Sequence, residues 1–406
     1  MEPQPTLRRV ISLPWLVLYG LGTTIGAGIY ALTGVVAGRA GMHAPVAFLL
    51  AASIALFSAL SFAELSSRFP RAGGEAVYVR EGFGRVDLQL VVGILVVAAG
   101  LISAATVSVG FVGYLAEFIV VPKLVAVVGI VITLGAVVGW GVRESVMAAG
   151  LMTLLEVGGL LIVIVYGAPQ LAELPARASE ILRFGPGAFQ GVGAAAVIAF
   201  YAFLGFEDMV NAAEEVTNVR RTLPAAILIT LAVTAALYVV IAVVAVLAVP
   251  PAELAHSKAP LSLVFERCGG PAGVLGVIAM FALLNGALIQ VLKASRVLWG
   301  MADQGVLPAV LRQIHPRTRT PLLAIGLATL VTGMLAAVFP LETLAKATSI
   351  VTLATFALAN LALVYIKRRD PSPAEAVIFP AWIPVVGLAL SCGLIVLDLA
   401  NRIWGG

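Results

Sequence analysis

Apolar residues run along this chain in blocks of about 18 or more, parted by short stretches where proline, glycine and charge cluster. A helix needs roughly 20 such residues to cross the hydrocarbon of a bilayer. The blocks predict eleven spans, at about 13–38, 44–67, 86–116, 124–141, 145–168, 188–214, 223–249, 271–300, 321–339, 343–366 and 377–402. Pro14, Pro45, Pro224 and Pro321 stand where helices are expected to begin, in the first turn, where a missing N–H costs least.

Two of the blocks are interrupted. In the first, Gly22-Thr23-Thr24-Ile25-Gly26-Ala27-Gly28-Ile29-Tyr30 packs three glycines and two threonines into seven residues, which favours local unwinding. Backbone groups freed at membrane depth are tolerable only where they line a cavity or bind something. Gly22 with Gly26 and Gly34 with Gly38 are also spacings that let helices approach closely, the bland alternative. In the sixth, Phe200-Tyr201-Ala202-Phe203-Leu204-Gly205-Phe206-Glu207-Asp208 brings a glycine and two carboxylates into the span. A charge there costs roughly 2.5–3.5 kcal/mol on insertion scales, so it faces a cavity or a partner.

Breaks five spans apart, at matching places in two five-helix halves, point to a transporter built from repeats of opposite orientation with its substrate near the midplane. Half-helix N-termini offer N–H groups to an anion, and the broken ends offer carbonyls to a cation. A zwitterion carrying a carboxylate and an ammonium matches both.

Composition agrees with a polytopic membrane protein: 61% hydrophobic, 11% charged, mean hydropathy +1.07 over 406 residues. With the N-terminus inside, seventeen of the 25 Lys and Arg residues fall in or beside cytoplasmic segments, and an odd number of spans leaves Gly406 outside. The net charge of +4 therefore describes loop topology, and no nucleic-acid surface is expected. The N-terminal apolar stretch is too long for a signal-peptide core and is expected to stay attached. Cys268 and Cys392 differ in membrane depth, so no disulfide is expected. There is no Walker loop, no His-Glu-x-x-His helix, no Gly-x-Ser-x-Gly elbow and no cysteine pair at metal spacing, which leaves neither an enzyme's apparatus nor a metal site in view.

The motifs together resemble the amino acid-polyamine-organocation (APC) superfamily of amino acid permeases. The first-span break looks like that family's first-helix motif, and Phe200 to Glu207 looks like its sixth-helix motif. Glu214-Glu215-Val216-Thr217-Asn218 with Arg220 to Pro224 looks like the loop that follows. Arg71 to Tyr78, Gly141 to Ser145, and Ser295-Arg296 through Asp303 to Pro308 are further likenesses, spread over residues 10 to 400.

The resemblance implies an all-α polytopic fold of the LeuT-like five-plus-five inverted-repeat type, a single transmembrane transporter domain over 1–406. Its repeats would lie at about 10–168 and 187–368, with one of the family's two peripheral helices, at 377–402. It implies that the amides of Ala27 and Gly28 hold the substrate carboxylate while Gly26 lets it approach. Carbonyls near Thr24, Ile25, Tyr201 and Leu204 would take the ammonium, and Tyr201 or Phe203 would close over the substrate. Tyr201 and Phe203 also read as ordinary packing aromatics. Gln290 and Asn285 on the eighth span are candidate lining residues.

Three residues stand out as coupling or gating candidates. Glu207 either binds a proton that gates the inner door or caps the second half of the sixth helix. In the fifth span, many proton-coupled members of the family have a lysine where a coupling sodium would sit, and this chain has Glu156. Lys293 either pairs with Glu156 or snorkels to the inner interface.

The expected function is secondary active transport of amino acids or related amines across the cell membrane by alternating access, as proton-coupled symport or exchange. The runner-up is a non-transporting amino acid sensor or partner subunit. No cofactor is expected beyond a coupling ion, a proton or else sodium. Expected partners are the amino acid and the lipid bilayer, and oligomeric state is not legible in the sequence.

Overall fold

The computed structural model describes residues 9–71, 74–140, 146–303, 305 and 307–404, with side chains for all of these except 146–151 and 401–404. The Gly141 to Ser145 motif lies outside these residues, as do Arg8, Ala72, Gly73, Gln304, Val306 and Gly406.

The first span is three pieces, α1 (Leu13–Thr24), α2 (Ala27–Tyr30) and α3 (Thr33–Ala40). Then come α4 (Ala44–Arg68), the short α5 (Gly74–Phe83), α6 (Val86–Leu115), α7 (Lys123–Trp140) and α8 (Val146–Tyr166). α9 (Ala168–Leu182) leaves α8 at a 62° bend centred on Gly167. The sixth span is α10 (Ala188–Phe200), a 3₁₀ turn (Tyr201–Phe203) and a ten-residue 3₁₀ helix (Phe206–Glu215). α11 (Val219–Ala248), α12 (Pro251–His256), α13 (Pro260–Arg267), α14 (Val274–Asp303), α15 (Leu322–Val338), α16 (Leu341–Arg369) and α17 (Trp382–Trp404) follow.

Among the described residues, eight helical stretches are long and apolar enough to cross a membrane unaided. The broken first span, the bent pair α8–α9 and the 17-residue α15 bring the described helices to the eleven expected places. α9, α12, α13 and α5 were not expected as helices. They are short or amphipathic, and their sequences lack the long apolar run that marks a span.

Pro14 and Pro45 occupy first turns, and Pro321 directly precedes α15. Pro224 corrects the expectation: α11 starts five residues earlier, at Val219, after Asn218 in a left-handed conformation. The carbonyl that a residue-224 amide would have bonded is that of Arg220. It takes the Ser67 hydroxyl instead, at 2.8 Å. That hydroxyl also accepts the Val377 amide at 2.9 Å, so one serine joins the ends of α4, α11 and the loop after α16.

In lipid, packing rather than hydrophobicity holds helices together. The most extensive pairings are α6 with α14 and α4 with α11. Phe62 of α4 sits among Tyr78, Phe206 and Phe356, with ring centroids 6.0, 6.0 and 5.0 Å away, which ties four elements at one point. Beside Ser67 lies a fully buried carboxylate, Glu64. It accepts Arg68 at 2.7 Å and Lys367 at 2.7 Å on one oxygen and the Phe379 amide at 3.0 Å on the other. Lys367 also donates to the Phe379 carbonyl at 2.7 Å. The 370–379 loop is thus strapped across the ends of α4 and α16.

Candidate functional site

The two interruptions meet. α1 stops at Thr24, Ile25 is extended, and α2 restarts at Ala27. On the other side α10 stops at Phe200, Leu204 is extended, and Gly205 has φ +125°, a value that favours glycine. The Thr23 hydroxyl shares its one proton between the Gly205 carbonyl at 3.0 Å and the Gly20 carbonyl of its own helix at 2.9 Å. A Cβ at 205 would overlap the Thr23 carbonyl, and one at Gly28 would overlap the Ala202 backbone. A Cβ at Gly26 would meet nothing within 4 Å, so the first break borders open space there while its flanks are closely packed.

The two breaks touch, at Thr23 and Thr24 with Gly205 and at Gly28 with Ala202, which brings together the expected residues that belong to them. Thr24, Ile25, Ala27, Gly28, Tyr201 and Phe203 are all buried, and Leu204 packs at the edge of the core. The first amides of a helix have no partner within it, which leaves those of Ala27 and Gly28 as donors. The Thr24 carbonyl accepts the Tyr238 hydroxyl at 3.1 Å and the Tyr201 carbonyl accepts the Leu204 amide at 3.2 Å. Each retains a second lone pair. The Tyr201 hydroxyl bonds Ser103 Oγ of α6 at 2.9 Å, and the Phe203 ring lies against that of Tyr238 at 5.3 Å. Gln290 is half-buried on α14, its side chain against Gly100 of α6.

The charged candidates separate into two places. Glu156 is buried on α8 and accepts the Asn285 amide at 2.9 Å on Oε1, and its Oε2 has no hydrogen-bond partner. Its backbone carbonyl takes the Tyr30 hydroxyl at 2.7 Å, and the Tyr30 carbonyl takes the Tyr114 hydroxyl at 2.6 Å. The expected Glu156–Lys293 pair does not form. Lys293 instead makes an ion pair with Asp208, because the second half of the sixth span presents Asp208 to α14 while Asn285, about two turns from Lys293, reaches Glu156. Glu207 turns back and accepts the Gly205 amide at 2.7 Å, closing the start of its own 3₁₀ helix.

Asp208 and Lys293 stand on the wall of a cavity of about 620 Å³ between α5, α6, α14 and the 3₁₀ helix. Glu75, Asn211, Gln89, Arg296 and Tyr19 share that wall. The cavity is partly open, and its lining places it toward the end of the bundle that holds the starts of α5 and α6 and the end of α14. At the opposite end Arg39 of α3 bonds Glu342 of α16 at 2.8 Å, and Lys346 reaches the same carboxylate at 3.0 Å.

Sequence reasoning had named neither Glu75 nor the tyrosines Tyr30, Tyr114 and Tyr238 as site residues. Glu75 was signalled only as part of the Arg71 to Tyr78 motif. Tyr30 was signalled only as the last residue of the first-span motif, Tyr114 and Tyr238 carry no distinctive spacing, and the roles of all three come from helix packing. Among the described residues no group of three or more His, Cys, Asp or Glu is placed to hold a metal ion.

The amino acid permease family model matches residues 11–401. Over 98% of its length the chain is 30% identical to the branched-chain amino acid permease BcaP of Bacillus subtilis, spanning 89% of that protein. It is 29% identical over 91% of its length to cationic amino acid transporter 4 of Mus musculus, of which it spans 61%. Among solved structures, that of MhsT in complex with L-phenylalanine superposes with a TM-score of 0.69 at 14% identity, over 98% of this chain and 99% of the other. That likeness concerns the fold.

Proposed function

The chain belongs to the amino acid permease family, a membrane transporter rather than an enzyme, and from that premise we propose that it carries amino acids or related amines across the cell membrane as a proton-coupled symporter or exchanger. The observation that carries this reading is the meeting of the two breaks. In this reading the amides of buried Ala27 and Gly28 and the carbonyls at Thr24, Ile25, Tyr201 and Leu204 would serve a solute in the open space that borders Gly26. Groups of both polarities at one point suit a zwitterion, and the carbonyls alone would serve the ammonium of a related amine.

Alternating access needs one end closed while the other is open. In this reading the Arg39–Glu342–Lys346 ion pairs mark the closed end, and the partly open 620 Å³ cavity lies toward the other. Since the open end carries the excess of basic loops, it is the cytoplasmic one in this reading, with the N-terminus inside, and the conformation is inward-facing. The two repeats, about 10–168 and 187–368, supply the pieces that rock, and 377–402 lies outside them.

For coupling, Glu156 is the stronger candidate. It is buried beside the first break with one unpartnered oxygen and no cationic side chain bonded to it. A proton or cation arriving there would neutralise a charge that burial disfavours. Glu207 and Lys293 act at the inner end, the first by holding the break and the second by holding Asp208. Substrates of the relatives suggest branched-chain and cationic amino acids as first tests.

The experiment is uptake and counterflow of labelled amino acids in proteoliposomes, under imposed pH or sodium gradients in turn. Saturable flux driven by a pH gradient is expected. Amino acid binding without flux would overturn the proposal in favour of a sensor.

A further inference from the structure

We infer that the vestibule between α14 and the Phe206–Glu215 helix is a second amino acid site, in which Asp208 takes the ammonium of a zwitterion and Lys293 with Arg296 takes its carboxylate. This rests on the reading that the chain carries amino acids, and it concerns a place separate from the breaks. None of Thr24 to Gly28 or Tyr201 to Leu204 lines this cavity.

The wall carries two carboxylates, Asp208 and Glu75, and two cations, Lys293 and Arg296. Their charges balance, so the cavity favours a solute that is charged at both ends and neutral overall. The Asp208–Lys293 ion pair is itself a fixed dipole, and a zwitterion laid head to tail against it matches charge to opposite charge at both ends.

Each partner of the pair has capacity left. Asp208 uses Oδ1 on Lys293, and its Oδ2 is buried with no hydrogen-bond partner. Its side chain is 4% exposed, so that lone acceptor is costly unless a donor reaches it. An ammonium carries three donors and Lys293 commits one to Asp208, so others remain for a ligand carboxylate. Glu207 does not compete, being held on the Gly205 amide.

The volume of about 620 Å³ lies within the range of small-molecule sites. Leu90, Val96 and Met301 give the ligand side chain an apolar wall. Asp208 lies four residues along the chain from Leu204, so the site neighbours the break of the sixth span.

The test is equilibrium binding of tritiated L-leucine and L-lysine to the purified protein, read as moles bound per mole. The wild type is expected to bind two equivalents of whichever amino acid it accepts, and Lys293→Met and Asp208→Asn one. Gly300→Phe guards against variants that fail for want of folding. A Cβ at Gly300 meets nothing within 4 Å and the residue lines the cavity, so the new ring fills the vestibule and leaves the ion pair in place. It too is expected to bind one equivalent. One equivalent in the wild type, retained in all three variants, overturns the second site and leaves transport standing. No binding of any amino acid to the wild type would overturn the transport reading and this site with it.

Discussion

The Thr23 hydroxyl donates to the Gly205 carbonyl across the two breaks, and Gly205 lies so close to Thr23 that no side chain fits between them. The contact welds the end of α1 to the middle of the sixth span. It makes the two glycines of the site, Gly205 and Gly26, opposite in kind.

Gly205→Ala should be severely destabilising. The left-handed φ alone costs about 1–3 kcal/mol, and the overlap with the Thr23 carbonyl adds to it. Gly26→Ala places its methyl in open space at an extended φ, so the fold should survive while substrate affinity falls about tenfold, roughly 1.4 kcal/mol. Thermal unfolding in detergent and ligand binding, measured on both variants, separate the two. Equal loss of stability in both would refute the distinction.

Glu156→Gln keeps an acceptor for Asn285 and removes the ionisable group. It should unfold within a few degrees of wild type. Accumulation driven by a pH gradient should be lost while counterflow exchange persists. Unchanged gradient-driven uptake would remove Glu156 from the coupling step.

The buried ion pair of Asp208 and Lys293 should show itself in a double-mutant cycle. Losing one partner strands the other, so Asp208→Asn and Lys293→Met should each cost about 3–5 kcal/mol, with the double variant costing clearly less than their sum. Glu156→Gln combined with Lys293→Met should be additive within about 0.5 kcal/mol, since those two do not touch.

Glu117, just past α6, offers a pH test. Its carboxylate end packs on Gly276, and that burial raises its carboxyl above the ordinary range. The Ser262 hydroxyl at 3.1 Å opposes the shift, and the nearby Glu266 adds to it. The folded state therefore holds the proton more tightly than the unfolded chain. This contribution to stability is present at low pH and lost as pH rises from about 4.5 through the raised value. Glu117→Gln should flatten that part of the melting-temperature profile, and Ser262→Ala should steepen it. A wild-type profile that rises across the same interval would contradict the assignment.

The spans and both breaks were legible because each is a local matter: run length fixes a span, and a Gly-Thr or Gly-acid cluster spoils one. Partner choice was not legible. Lys293 was paired with Glu156 on the assumption that spans 5 and 8 meet at that depth. They do meet, but about two turns along α14 from Lys293, at Asn285. The Glu207-Asp208 pair shows the same limit. Adjacent acids on a helix point about 100° apart, which says that they differ but not which one faces the cavity. The start of α11 was misplaced for another reason: a proline beyond the first turn is tolerated when an outside donor, here Ser67, satisfies the orphaned carbonyl.

The winding of the Phe206–Glu215 helix has a mechanical meaning. Its far end is fastened to the start of the first span, with the Glu215 carbonyl accepting the Val10 amide at 2.9 Å and the Ile11 amide at 3.0 Å, while its near end is fastened at Thr23. The two extended steps from Ile11 to Leu13 and the ten helical steps on to Thr23 cover about 22 Å, and the ten from Gly205 to Glu215 cover about 20 Å as 3₁₀ but only about 15 Å as α. Two antiparallel rods of unequal residue count are thus held to nearly equal length by stretching the shorter one. Rewinding it to α would fall several ångströms short of one anchor, so the segment can relax only by letting go of Thr23 or of Ile11.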